Sequence, residues 1–259
     1  MTTGAASPRP AATKSQAEVC AEWDAIADAR FEQIRGGLDV SYTHVLTPAV
    51  IGIAGDLTGR RVVDAGCGAG FLTRQLAARA ASVVGVDPSA RQIALAEAHH
   101  SAGNARFVQA TLEAYAAETS ELAEVVVANM ALMDALDVDG FLRAARRLLV
   151  SGGRLVASLT HPCFWPSYWG YADASWFAYE RETVIEAPFS ITLAQDPVGW
   201  TTHVHRPLER YISSLHGAGL ELERLVEPMP DASAVELYPV AWRVPRYLVV
   251  CCRAGADAR

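Results

Sequence analysis

The sequence predicts an α/β fold built on a mainly parallel sheet, and three observations carry that prediction. Between residues 57 and 160, short apolar runs alternate with amphipathic segments of helical period. The runs are apolar on both sides, as strands covered on two faces must be. The first run closes in a glycine-rich turn, VVDAGCGAG, at the position where such sheets receive ligands.

In order, residues 1–16 are small, polar and proline-containing, and predict a disordered tail. Residues 17–56 carry helical periodicity and predict two or three capping helices. The core, 57–160, then reads strand 61–66, helix 71–80, strand 82–87, helix 90–102, strand 105–110, a helical stretch near 112–119, strand 123–130, helix 139–150 and strand 153–160. Residues 161–206 lose all period and gather Pro, Trp and Tyr, which predicts an aromatic-rich insertion or lid. Residues 207–254 return to a helix, stopped by Gly217 and Gly219, and two closing strands.

Composition narrows the function. A formal charge of −7 and scattered arginines disfavour a nucleic-acid or anionic-membrane partner. Five cysteines without regular spacing fit reduced thiols in a cytoplasm, and Cys251-Cys252 reads as a buried strand pair rather than redox chemistry. No metal-ligand spacing is present, so no metal is expected. Asp134, Asp137 and Asp139 are acids close together, but Asp137 reads as a helix cap. No signal peptide or membrane span is expected, which points to a cytoplasmic chain.

The glycine turn holds the chemistry. Glycines let a ligand approach the backbone without meeting a Cβ. Asp87 ends the next strand, 21 residues past Gly66, where a carboxylate can accept both hydroxyls of a ribose. Gly66, Gly68 and Gly70 are spaced GxGxG, not the GxGxxG of a dinucleotide site, and Asp64 stands at the strand end. A carboxylate repels a pyrophosphate and attracts an ammonium. The ligand therefore carries a cation beside Asp64, as a nucleoside with an amino-acid tail does.

From about Trp23 to Ala254 the chain resembles class I S-adenosylmethionine-dependent methyltransferases, in the small-molecule group called methyltransferase type 11 or 25. VVDAGCGAG and VVGVDPS match the first two motifs of that family, FVQATLEAY the third and VVVANMALMDAL the fourth. The resemblance implies a Rossmann-like seven-stranded sheet whose last strand is antiparallel, with S-adenosylmethionine as cofactor and S-adenosylhomocysteine as product. It implies that Asp64, Ala65, Gly66, Gly68 and Gly70 hold the methionine part, Asp87 the ribose, and Pro88 the adenine. Thr111 and Leu112 would cover the adenine, with Thr111 standing where members often carry Asp. Asn129 and Met130 would flank the methionine part.

The methyl acceptor is read from what surrounds that edge. ANMALM lacks the NPPY pattern of enzymes that methylate amino groups of adenine or glutamine, so a small molecule is expected. Residues 161–180 hold eight aromatics, which either pack their own core or wall an apolar pocket; Phe164, Trp165, Tyr168 and Trp169 are the pocket candidates. His161, directly after the fifth strand, is the candidate base, with the alternative of a ring bonding backbone before Pro162. His205 and His203 are secondary candidates; His99, His100 and His216 read as solvated.

The expectation is a cytoplasmic, metal-independent methyltransferase of secondary metabolism. It would act on an oxygen or nitrogen of a small aromatic or apolar molecule, with a homodimer admitted. Two alternatives stay open: a protein that binds the cofactor without methyl transfer, and an NAD(P)-dependent oxidoreductase.

Overall fold

The structure, a computed structural model, describes residues 7–194 and 196–255. A short strand β1 (Arg9–Pro10) leads into helix α1 (Gln16–Arg35), a single π-helical turn at Tyr42–Leu46 and α2 (Thr47–Ala54). The alternating core follows as β2 (Arg61–Ala65), α3 (Phe71–Ala77), β3 (Ser82–Asp87), α4 (Ala90–His100) and β4 (Ala105–Gln109). It continues as α5 (Leu112–Glu118), β5 (Ala123–Asn129), α6 (Val138–Leu148) and β6 (Leu149–Thr160). The remainder is α7 (Trp165–Tyr168), β7 (Thr183–Pro188), β8 (Trp200–His205), α8 (Leu208–Gly217), β9 (Leu220–Val226), α9 (Ala232–Val235) and β10 (Tyr247–Ala254).

Seven strands form one sheet in the order β4-β3-β2-β5-β6-β10-β9. The pairs from β4 to β6 are parallel, and β10 runs antiparallel to both β6 and β9. The last strand in sequence is thus the antiparallel one, as expected. Central strands are buried on both faces because their alternate residues enter different cores. Val63, Val126 and Ala128 pack with α5, α6 and α8, while Val62, Val125 and Val127 pack with α2 and α3. Cys251 and Cys252 lie on opposite faces of β10 and are both buried, which is the plain structural reading of that pair.

Two expectations change here. The predicted disordered tail, 1–16, begins outside the described residues, but its later part is ordered. Arg9 and Pro10 pair with Glu186 and Ile185 of β7, and the Ala11 amide donates to the Val184 carbonyl at 2.9 Å. Lys14 pairs with both Glu22 and Glu186. Its partners on β7 lie more than 170 residues away in sequence, so local composition could not reveal them. The segment 161–206 likewise contains β7 and β8, which join β1 in a separate three-stranded sheet.

α1 begins where it does because Ser15 and Glu18 form a reciprocal capping box. It lies against α4: Asp24 accepts from the Ser89 hydroxyl and the Arg91 amide, and Asp28 pairs with Arg91. This places α1 over the carboxyl ends of β2 and β3.

Candidate functional site

The chain leaves β2 outward through β3 and β4, then returns to place β5 on the other side of β2. Strand order therefore reverses between β2 and β5, and a crevice opens above their carboxyl ends. A cavity of about 310 Å³ occupies it, walled by the glycine turn, the ends of β3 and β5, α1 and the 187–192 segment.

The turn is anchored by backbone hydrogen bonds. The Gly66 and Cys67 amides both donate to the Val86 carbonyl, at 2.8 and 3.1 Å. Gly66, Gly68 and Gly70 have φ of 71°, 53° and 82°, a region L side chains rarely adopt. A Cβ on Gly66 would stand 2.5 Å from that of Ala131, and one on Gly70 would stand 2.9 Å from the Phe107 ring. Those two glycines are therefore required by protein contacts, and only Gly68 is free of such a clash. Gly66→Ala is expected to destabilise the fold by roughly 2–4 kcal/mol, combining strain and overpacking, in a urea titration.

Of the residues the sequence analysis placed here, Asp64, Gly66, Gly68, Asp87, Pro88, Thr111, Leu112, Asn129 and Met130 line the cavity. Ala65 and Gly70 do not, which corrects the expectation for them. Ala65 is fully buried in the core beneath, and Gly70 opens α3 against Phe107. Thr111 accepts from the Ala114 amide and caps α5, so its hydroxyl is already engaged. Met130 has a positive φ of 60°, and its amide donates to Ser158, whose hydroxyl also reaches Asn129 at 2.6 Å. Asp137 caps α6, as read from the sequence.

The two acids differ in what they lack. Asp87 accepts from the Gly68 and Ser89 amides, both at 2.9 Å, and each of its oxygens keeps a lone pair for a further donor. Burial pushes its carboxyl up to about 6. Asp64 is 1% exposed; one oxygen accepts from the Thr73 hydroxyl at 2.6 Å, and Oδ1 has no partner. Burial, with the Asp87 charge adding to it, pushes the Asp64 carboxyl up to about 7. A buried, unpartnered carboxylate oxygen is costly unless a cationic donor meets it.

The cap supplies the opposite charge. Arg30 of α1 pairs with Asp39 and lies over the rings of Tyr42 and Phe189, at 5.7 and 5.4 Å. Its Nη1 is buried, on the cavity wall and unpartnered. The cavity thus presents an orphan acceptor from the sheet and an orphan donor from the cap. Sequence reading missed Arg30 because its helix looks like ordinary amphipathic cover.

The far end is aromatic. Trp165 and Trp169 stack at 4.8 Å, Tyr168 packs beside them, and all three line the cavity with Trp23, Phe189 and Tyr247. The Trp165 indole N–H is buried there without a partner. Tyr171, Trp176 and Phe177 instead pack on one another, forming a core of the insertion itself.

Four further expectations are corrected. His161 is 3% exposed and absent from the cavity wall. Its Nδ1 accepts from the Cys163 amide, so Nε2 carries the proton and donates to Glu227 at 2.8 Å. Both nitrogens are spent on structure. His205 is also off the wall, its Nε2 donating to the Tyr179 carbonyl at 2.8 Å. Phe164 packs on the His161 ring at 4.5 Å rather than facing the cavity. His100 is buried at 6% exposure, among Phe31 and Phe71, where solvation was expected. His161→Ala is expected to cost about 1–3 kcal/mol of stability through the lost buried hydrogen bonds. Its turnover should stay within about threefold of wild type, a range in which no base has been removed.

Two further titratable groups line the cavity away from the glycine turn, His203 and Asp134. Burial pushes the His203 imidazole down to about 4, and burial holds the Asp134 carboxyl well above its ordinary range. Among the described residues no cluster of three metal-ligating side chains exists.

Comparison with known proteins agrees with this geometry. Residues 63–157 match a family described as a methyltransferase domain, Methyltransf_11. The ubiquinone biosynthesis O-methyltransferase of Methylocella silvestris is 30% identical over 159 residues, 61% of this chain and 54% of that protein. The chain spans about half the length of the curated relatives it matches. An S-adenosylmethionine-dependent methyltransferase from Mesorhizobium loti superposes with a TM-score of 0.59 at 23% identity, over 80% of this chain and 96% of that one. The [4+2]-cyclase SpnF superposes with a TM-score of 0.61 at 16% identity, over 97% of this chain and 100% of that one. At such identities the likeness shows the fold. That fold is the Rossmann-like one of class I S-adenosylmethionine-dependent methyltransferases, and residues 63–157 match the methyltransferase-domain family.

The residues present fit the cofactor of that class. Asp64 Oδ1 is a buried acceptor without a partner, which an ammonium would satisfy, Arg30 Nη1 is a buried donor without a partner, which a carboxylate would satisfy, and Asp87 keeps lone pairs that hydroxyls could use.

Proposed function

We propose that this chain transfers a methyl group from S-adenosylmethionine to an oxygen of a small, largely aromatic molecule. The observation that carries the reading is the unpartnered buried oxygen of Asp64, beside the glycine turn of a cavity that continues into aromatic walls. When bound, the cofactor supplies an electrophilic methyl: the acceptor's lone pair bonds to carbon as the C–S pair returns to sulfur, leaving S-adenosylhomocysteine.

The chain's part is to bind, align and keep the site dry. Asp64 would hold the ammonium, Arg30 the carboxylate and Asp87 the ribose hydroxyls. Pro88 and Leu112 would offer flat apolar contact to the adenine. Trp165 and Trp169 would stack on the acceptor, with the Trp165 indole N–H donating to one of its polar atoms. α1 and the 161–206 segment would act together as the lid. The curated relatives, named as O-methyltransferases, support oxygen as the accepting atom.

Arg30→Met should weaken S-adenosylmethionine about tenfold in calorimetry while leaving its decarboxylated analogue unaffected, since the lost donor then has no carboxylate to meet.

Incubating the protein with S-adenosylmethionine and a panel of mono- and dihydroxybenzenes and arylamines tests the reading. Release of S-adenosylhomocysteine dependent on a hydroxyarene supports it; release with arylamines alone would move the accepting atom to nitrogen. A second reading, a cofactor-binding scaffold for another reaction, is favoured by the likeness to a cyclase and predicts binding without release. A nicotinamide cofactor is disfavoured by the buried carboxylate at Asp64. A cytoplasmic location and a homodimer belong to the proposal; sedimentation velocity tests the second.

A further inference from the structure

We propose that the carboxyl group of Asp134 is the proton acceptor of this site, so that the molecule to be methylated arrives carrying a hydroxyl or ammonium proton. The inference rests on the methyl-transfer reading and adds the group that removes the proton.

Asp134 follows β5 by five residues and stands on the cavity wall, beside the Trp23 indole, which hydrogen-bonds to it. Its position is held from two sides. Gln16 of α1 clamps the backbone, donating to the Asp134 carbonyl at 3.4 Å and accepting from the Leu136 amide at 3.0 Å. From β8, the Val204 amide donates to the Met133 carbonyl at 2.8 Å, one residue before Asp134. These bonds fix the backbone that carries the carboxyl, and the Trp23 indole holds the carboxyl itself before any ligand enters.

The charged groups around it leave it hungry for a proton. Burial is the main cause, and Glu22 on α1 and Asp87 at the end of β3 push the same way. Arg206 opposes them, but its Nη2 donates to the Ala135 and Leu136 carbonyls and its Nε to Glu182, and its Nη1 is buried without a partner. Among the other described wall groups, Asp39 is paired with Arg30, and burial pushes the Tyr42 and Tyr247 phenols up so that they keep their protons. His203 is too weakly basic, the thiols of Cys20 and Cys67 are pushed up by burial and hold their protons, and Asp64 and Asp87 face the glycine turn. A cation arriving in the same cavity favours the ionised form of Asp134. The carboxylate then takes the proton that the acceptor's oxygen or nitrogen loses as it bonds to carbon, and passes it to solvent when product leaves.

The experiment is calorimetry near pH 7 in buffers of different ionisation enthalpy, which counts protons released on binding. S-adenosylmethionine and S-adenosylhomocysteine share the amino-acid tail, so release from Asp64 cancels between them. The sulfonium remains as the difference. Wild type is expected to release up to one proton more with S-adenosylmethionine, Asp134→Asn to lose that difference, and Asp134→Glu to recover part of it. No difference in wild type, or one that persists in the Asn variant, overturns the inference. Binding of neither ligand would remove the methyl-transfer reading itself. With hydroxybenzenes that wild type methylates, Asp134→Asn should lower the rate at least ~100-fold with cofactor affinity within threefold; an unchanged rate refutes the role.

Discussion

Asp64→Asn is expected to loosen S-adenosylmethionine by about 1–3 kcal/mol, roughly 5- to 150-fold, while making the ligand-free protein more stable at pH 8. Both effects come from one atom. Oδ1 of Asp64 is buried without a partner, and burial pushes the carboxyl up to about 7. An asparagine would keep the Thr73 bond, remove the charge and lose the partner for an ammonium. The distance from an ordinary 3.8 to about 7 corresponds to roughly 4 kcal/mol, an upper bound on the stability recovered.

The same atom sets a pH dependence. Below about pH 4 the Asp64 carboxyl is protonated in folded and unfolded chains alike, and its burial carries no charge. Between about 4 and 7 the unfolded chain ionises first, so stability falls as pH rises, and it levels off above 7. Asp87 adds a decline of the same sign, ending near 6. Cofactor affinity should run the other way, rising through pH 6–7.5 as the carboxylate becomes available. Denaturant titrations and calorimetry at matched pH separate the two trends. In Asp64→Asn both should be shallower.

The second large effect is expected at Arg206, which is 1% exposed. Its guanidinium donates to the Ala135 carbonyl at 2.8 Å and the Leu136 carbonyl at 3.0 Å, and pairs with Glu182 at 3.1 Å. Arg206→Leu would strand two carbonyls and a carboxylate, and should cost about 3–5 kcal/mol in urea unfolding. Arg206→Lys should recover little, because an ammonium cannot span the two carbonyls as the planar fork does. These carbonyls belong to the two residues that follow Asp134, so Arg206 variants that remain folded should also lose turnover.

The glycine-turn half of the cavity was legible because its pattern is local. Asp64, Gly66, Gly68 and Asp87 sit at strand ends that hydrophobic pattern locates, and spacing alone brings them together. The aromatic half was not. His161 follows β6 as foreseen, yet its ring turns into hydrogen bonds with Glu227 and Cys163, partners that no periodicity announces. The stretch HRPL drew notice for His205, when the buried guanidinium of Arg206 is what joins β8 to the loop after β5. Arg30 and Trp23 belong to a helix that reads as cover. Only its docking on α4 brings them over the glycine turn. The strand β1 escaped because it pairs with β7 across most of the chain, and the local pair β7–β8 because its polar alternation lies within an aromatic-rich segment.

The most direct measurement is a calorimetric titration of the full chain with S-adenosylmethionine and, separately, with NADH at pH 7.5. The account predicts saturable one-to-one binding of S-adenosylmethionine, weakened in Asp64→Asn, and no heat with NADH. Saturable binding of NADH with none of S-adenosylmethionine would contradict it.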